Sequence, residues 1–416
     1  MRPLKIALLS RWYWEENRRH ASTGGAAVRQ LAEAVKALGH EVVVLSQSVE
    51  VEALERVQLD AMEVWLSPRE KRRDFLTSIR DKCAKQAYSH RKVYSDAFAL
   101  RDFLARRGPF DLLWAQAEEP DGLVAAVAAY KLGIVVPPTL TQIQALRYRF
   151  DHGVPVFNEK PALSLAFRHA TRIIANSELV AHCLPHYAGP HLTVEQLQAK
   201  VQVVHPNLQR QFLQAAEEVS SSPVPESHRV LFFGALNEGK GALVFLDALL
   251  KTNAAKRIGV FAVMGDFTEN NPAFARRWNE AVAAVRGKLA PAQLVLLGKL
   301  SPFEVIREVK LAHVVVLPSL FDAFSRALVE ALILGRPVIT TDRVGAWPLV
   351  QEHACGLVVP PNDPNALARA IDDALDPAAP YAANAQQIAH RLLHEFSPEA
   401  IAHQLAQHFD EIAPSS

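Results

Sequence analysis

The residues best placed to do chemistry lie in the run Leu317-Pro318-Ser319-Leu320-Phe321-Asp322-Ala323-Phe324-Ser325-Arg326-Ala327-Leu328-Val329-Glu330-Ala331-Leu332, with Gly335-Arg336-Pro337 after it. An apolar strand ends at Pro318, a loop turns, and a helix is predicted from about Ser325, with Gly335 placed to end it. The N–H groups that open a helix have no partner inside it, and the helix dipole adds to their pull. Phosphate oxygens are therefore held well there. Glu330 falls about one and a half turns into the helix. Its carboxylate accepts two hydrogen bonds at once, which suits vicinal hydroxyls such as a ribose diol. The spacing alone leaves a plainer alternative open, in which Asp322 caps the turn and Glu330 forms a surface ion pair.

Those residues need a scaffold, and the hydrophobic rhythm describes one. Short apolar runs alternate with segments of helical period, the βαβ pattern of a parallel sheet covered by helices. Strands are predicted at 5–10, 42–45, 112–115, 135–140, 172–175 and 201–204. Val28, Leu31, Ala32, Val35 and Leu38 recur at helical spacing before Gly39. From residue 212 to 228 the character changes, and Ser220-Ser221-Ser222-Pro223-Val224-Pro225 is the best linker in the chain. A second set of strands follows at 230–234, 259–265, 293–297, 314–317, 337–340 and 356–359. The expectation is an α/β protein of two doubly wound, Rossmann-like domains facing across a cleft: an N-terminal domain over 1–215 and a C-terminal one over 226–395. Ligands of open α/β sheets sit at the carboxyl ends of the strands, so the cleft is the natural site. The segment 396–416 is helical by pattern, with Ser397 as N-cap and Pro398 at the first position.

Composition narrows the partners. The chain has 416 residues, and its 45 Lys and Arg balance 44 Asp and Glu, so no bulk field favours nucleic acid. Cys83, Cys183 and Cys355 are scattered without metal-ligand spacing, as expected of inert thiols in a reducing compartment. The apolar run after Lys5 stops at Arg11, too short for a secretion signal, and no stretch reaches the ~18–20 apolar residues of a membrane span. A soluble, cytoplasmic protein is expected, with peripheral contact at the inner face of the membrane and self-association left open. A basic stretch within 67–92 is either a solvated helix face or a surface for an anionic acceptor or a membrane. Trp12-Tyr13-Trp14 is either local packing or a platform on which an acceptor stacks. The Gly-x-Gly-x-x-Gly fingerprint of dinucleotide-binding sheets is missing after Ser10 and after Phe233, which sets a dehydrogenase aside.

The whole pattern resembles the GT4-type retaining glycosyltransferases. Asp322 and Glu330, with seven residues between them, follow Pro-Ser and precede Gly-x-Pro-Val-Ile as in that family's signature. Val230–Gly241, ending in Lys240-Gly241, is similar to its phosphate-binding loop. Gly24-Gly25, Gly39-His40-Glu41-Val42, Arg172–Glu178, Val203–Asn207, Leu297-Gly298 and Gly356–Pro361 match in order along nearly the whole chain. The resemblance implies a GT-B fold whose second domain binds a nucleotide-sugar donor without a metal or other cofactor. By the same resemblance Glu330 binds the ribose, Lys240 and Gly234 serve the diphosphate, and Phe324, Ser325, Arg326 and Ala327 add backbone donors. Gly24 and Gly25 let the first loop approach the donor phosphate, Asp322 positions the transferred sugar, and the last helix crosses back onto the first domain. The acceptor is a hydroxyl of a glycan, a lipid-linked molecule or a small molecule.

The chain departs from the family at three places. Asp322 stands where Glu is usual, and Ala235 where an arginine commonly follows the glycine of the phosphate loop. No donor-contacting histidine is evident in the first half, where the strand ends carry Gln116, Gln142 and Gln144. These departures motivate an alternative, a catalytically silent GT-B partner that binds and stabilises an active glycosyltransferase.

Overall fold

The computed structural model describes residues 2–10, 13, 23–48, 50–68, 90–117, 121–146, 148–151, 154–157, 160–189, 192–219, 229–253, 259–267, 271–290 and 293–413. They sort into two compact units: 1–149, 157–209 and 396–416 form the first, and 150–156 with 210–395 the second. The expected linker at 220–225 lies outside the described residues. So do 69–89 of the basic stretch, and Trp12 and Trp14.

The strands are β1 (Lys5–Leu9), β2 (Glu41–Ser48), β3 (Glu55–Leu59), β4 (Met62–Pro68), β5 (Leu112–Ala117), β6 (Thr139–Ile143), β7 (Tyr148–Asp151), β8 (Val154–Phe157), β9 (Arg172–Ala175), β10 (Val201–Val203), β11 (Arg229–Phe233), β12 (Val260–Met264), β13 (Leu294–Gly298), β14 (Val314–Leu317), β15 (Val338–Thr341) and β16 (Gly356–Val359). The helices are α1 (Thr23–Ala37), α2 (His90–Arg107), α3 (Asp121–Leu132), α4 (Lys160–His169), α5 (Glu178–Cys183), α6 (Val194–Gln198), α7 (Arg210–Val219), α8 (Ala242–Leu249), α9 (Pro272–Lys288), α10 (Pro302–Leu311), α11 (Arg326–Ile333), α12 (Trp347–Glu352), α13 (Pro364–Ala374), α14 (Tyr381–Glu395) and α15 (Pro398–Ile412). None is long and apolar enough to cross a membrane, among the described residues.

In the first unit eight strands run in the order β10-β9-β6-β5-β1-β2-β4-β3, parallel except for the β3–β4 hairpin. That hairpin is absent from the sequence expectation because β3 is a mostly exposed edge strand, Glu-Arg-Val-Gln-Leu, whose polar residues mask its pattern. The strand expected at 135–140 begins at Thr139 instead. Pro137 and Pro138 have no N–H to give a ladder, so pairing starts only beyond them. Helix α15 packs within this unit. Ser397 accepts the N–H of Ala400, and Ile401, Ala402, Leu405, Ala406 and Phe409 join Val28, Leu31, Ala32 and Val35 of α1 in one core.

The second unit has six parallel strands in the order β13-β12-β11-β14-β15-β16. Counted within the unit this is 3-2-1-4-5-6, the doubly wound arrangement whose direction reverses between the first and fourth strands. Val230 pairs with Phe261 on one side and Val314 on the other. Such central strands are covered on both faces, which is why β14 reads as an unbroken apolar run with every residue buried. Phe232, Phe245, Phe261, Trp278 and Ile371 fill the core on one face. The reversal falls between β11 and β14, and the carboxyl ends of the strands at such a reversal are where ligands of doubly wound sheets bind.

Candidate functional site

The loop after β11 is shaped by close backbone approaches. The Gly234 N–H donates to the Met264 carbonyl at 3.1 Å. Asn237 Oδ1 accepts the Lys240 N–H at 3.0 Å, closing the turn that aims Lys240. Gly241 sits at φ +68°, and a Cβ there would lie 2.0 Å from the Pro318 carbonyl oxygen, so only glycine lets this loop seat on the end of β14. The Leu320 N–H then donates to the Gly239 carbonyl at 2.8 Å, joining the two loops directly.

The loop after β14 is braced from β15. Thr340 Oγ1 donates to the Leu317 carbonyl at 3.1 Å and Thr341 Oγ1 to the Ser319 carbonyl at 2.6 Å. The Asp322 N–H donates to the Arg343 carbonyl, and the Gly345 N–H to the Asp322 carbonyl, both at 2.9 Å. So held, the Asp322 carboxylate meets the Lys240 ammonium in an ion pair that spans 82 residues of sequence. Both groups are mostly shielded, with 17% of the Asp322 side chain and 32% of the Lys240 side chain exposed, so the attraction is stronger than at an open surface.

Ser325 enters α11 in the left-handed region, at φ 71°, and its side chain caps nothing. The helix ends where expected: the Gly335 N–H returns to the Leu332 carbonyl and the Arg336 N–H to that of Ala331, the paired bonds of a Schellman turn. Glu330 lies one turn beyond Arg326, about 6 Å along the axis. The carboxyl is partly buried, and among the described residues it has no hydrogen-bond partner. Burial pushes its pKa up to about 7, against the opposing pull of the Arg326 guanidinium. This acid is held ready to gain donors, because hydrogen bonds to its ionised form would offset the cost of burial.

Gly234, Lys240, Asp322, Phe324, Ser325, Arg326, Ala327 and Glu330 thus all belong to the loops and helix at the carboxyl ends of β11 and β14. The Phe324 N–H points back at Asp322 Oδ1, 3.4 Å away. Gly24 and Gly25 belong to the other unit, where they form the first turn of α1 beyond β1. Thr341, Arg343 and Gly345 escaped the sequence reading. The only signal for them was a pair of threonines ending a buried strand, which reads equally well as ordinary β-propensity. Among the described residues no group of three His, Cys, Asp or Glu is arranged to hold a metal ion.

Two family models match the chain: glycosyl transferases group 1 over residues 227–377 and the glycosyl transferase 4-like domain over residues 22–207. The alpha-D-kanosaminyltransferase of Streptomyces kanamyceticus is 24% identical over 290 residues, covering 66% of this chain and 71% of that protein. A glycosyltransferase from Rickettsia africae ESF-5 superposes with a TM-score of 0.67 at 18% identity, over 100% of both chains. The sucrose-phosphate synthase of Thermosynechococcus elongatus gives 0.68 at 19% identity, over 98% of each. Anabaena HepE, solved in complex with UDP and glucose, gives 0.65 at 18% identity, over 98% of this chain and 99% of that one.

Proposed function

Since this chain belongs to the group 1 glycosyltransferases, we propose that it transfers a sugar, with retention of anomeric configuration, from a nucleotide-sugar donor to an acceptor hydroxyl. The reading is carried by one observation: Lys240, Asp322 and the start of α11 lie together at the carboxyl ends of the neighbouring strands β11 and β14, with Glu330 one turn further on. A nucleoside diphosphate has the matching chemistry. Its phosphates take Lys240 and the N–H groups opening α11, and its ribose diol takes Glu330. Uridine is the base to try first, given the UDP complex of HepE.

In the proposed reaction the bond between the anomeric carbon and the diphosphate oxygen breaks, and its electron pair leaves with the diphosphate. Lys240 and the backbone donors stabilise that developing charge. The acceptor oxygen bonds to the anomeric carbon on the face the diphosphate leaves, and its proton passes to the departing phosphate oxygen. Asp322 pairs with Lys240 before the donor arrives and then orients a hydroxyl of the transferred sugar.

Thermal melts with UDP-, GDP-, ADP- and dTDP-glucose, followed by assay for released sugar, test this. At a hundredfold excess over Kd one donor should add about 2.7 kcal/mol of stability, and it should be consumed slowly. Melting points unmoved by all four would overturn the proposal.

A further inference from the structure

Near the end of the second unit, α14 carries a pair of histidines that no step above uses. His390 and His394 are four residues apart, so they stand one above the other on one face of the helix. Ala385, Ile388 and Leu392 are buried on the opposite face, and both imidazoles are exposed. Their Nε2 atoms face each other at 3.3 Å. The rings meet edge to face, with centroids 4.5 Å apart and planes at 72°. Arg391, next to His390, is engaged elsewhere, with Glu395 at 3.2 Å and His353 Nε2 at 2.6 Å.

The separation of the two nitrogens has a chemical meaning. Zinc takes imidazole nitrogens at about 2.0–2.1 Å, and two of them at a tetrahedral angle lie about 3.3–3.4 Å apart. His390 and His394 already stand at that span. A hydrogen bond between the rings accounts for the arrangement less well, because water competes for both nitrogens at an exposed site and the net gain is small. Paired histidines four apart on a helix also hold the zinc of metallopeptidases. There a glutamate follows the first histidine and serves as general base. Here Arg391 stands in that place, so the pair can hold an ion but has no base in that position to drive hydrolysis.

We infer that His390 and His394 form a binding site for one late first-row divalent cation, such as zinc, with both Nε2 atoms as ligands and water completing the set. Imidazole suits zinc, nickel and copper and passes over magnesium and calcium, which demand oxygen. With two protein ligands rather than four, the site binds zinc with a Kd of roughly 1–100 µM, far weaker than a closed structural site. The bound ion bridges adjacent turns at the end of α14, just before the chain passes from the second unit to the first between residues 395 and 396. It takes no part in glycosyl transfer, so the inference stands apart from that reading.

Calorimetry of the full chain with zinc chloride, in buffer free of chelator, tests this. Zinc should bind in that range, and His390→Ala and His394→Ala should each weaken it at least about tenfold. His403→Ala, which removes an exposed histidine of α15, should leave the affinity within about twofold. Magnesium at millimolar concentration should not displace the zinc. Both side chains are exposed, so neither replacement should move the melting point of the metal-free chain by more than about 2 °C. On the unaltered chain, zinc should shield His390 and His394, but not His403, from carbethoxylation by diethyl pyrocarbonate, read by peptide mass spectrometry. Zinc affinity unchanged by either replacement, displacement by magnesium, or equal labelling of all three histidines with and without zinc overturns the inference.

Discussion

Raising the pH from 6 to 8 should tighten binding of the nucleotide sugar, and Glu330 should be the cause. With its pKa pushed up to about 7, Glu330 is about nine-tenths protonated at pH 6 and about nine-tenths ionised at pH 8. Only the carboxylate accepts from both hydroxyls of a diol, so the binding-competent fraction grows about tenfold, or about 1.4 kcal/mol. At pH 7 binding should release about half a proton as the hydroxyl donors pull the pKa back down. Calorimetry at pH 6, 7 and 8 in buffers of different ionisation enthalpy reads both quantities. A nucleotide sugar is the right ligand, because its phosphates are diesters that stay fully ionised over this range. Glu330→Gln should flatten the pH dependence and abolish the proton release, and Glu330→Ala should weaken binding by roughly one to two orders of magnitude, about 1.4–2.8 kcal/mol. Affinity equal at pH 6 and 8 in the unaltered chain, with no proton released, would refute the ribose assignment.

The same carboxyl bears on stability. Its folded pKa lies above the ordinary glutamate value of 4.5, so folding holds the proton more tightly and stability falls as pH rises from about 4.5 through 7. The loss is at most about 3 kcal/mol, and urea denaturation should find Glu330→Gln more stable than the parent at pH 8 but equal to it at pH 4. Asp322→Asn frees Lys240 from its ion pair, so it should lower turnover without weakening the nucleoside diphosphate; wild-type turnover would remove the role given to Asp322. Gly241→Ala forces a Cβ to within 2.0 Å of the Pro318 carbonyl oxygen at a left-handed φ, and should cost roughly 3 kcal/mol or more in denaturant melts. Phe409→Ala removes a fully buried ring lying 5.4 Å from Trp114, and should destabilise the first unit by about 3–5 kcal/mol.

Much of this architecture was legible in the sequence because central parallel strands are covered on both faces. Val230–Phe233 and Val314–Leu317 announce themselves as short apolar runs, and Gly335 announces the end of α11 through its missing Cβ. The β3–β4 hairpin stayed hidden because an edge strand is half polar, and the start of β6 slipped because apolar character says nothing of the missing N–H groups of Pro137 and Pro138. In the site, the place of Glu330 in the helix was readable from the sequence, but its burial and raised pKa depend on packing. The pairing of Lys240 with Asp322 needs two loops to meet at a sheet reversal, which residue spacing does not encode.

The central claim is that the second unit grips a nucleoside diphosphate between Lys240 and Glu330. A crystal structure of the chain with the nucleotide sugar that stabilises it most tests this directly. Phosphate oxygens about 2.7–3.0 Å from Lys240 Nζ and from N–H groups opening α11, with both ribose hydroxyls on Glu330, are the predicted result. A nucleotide bound away from the carboxyl ends of β11 and β14, or a ribose turned from Glu330, would contradict it.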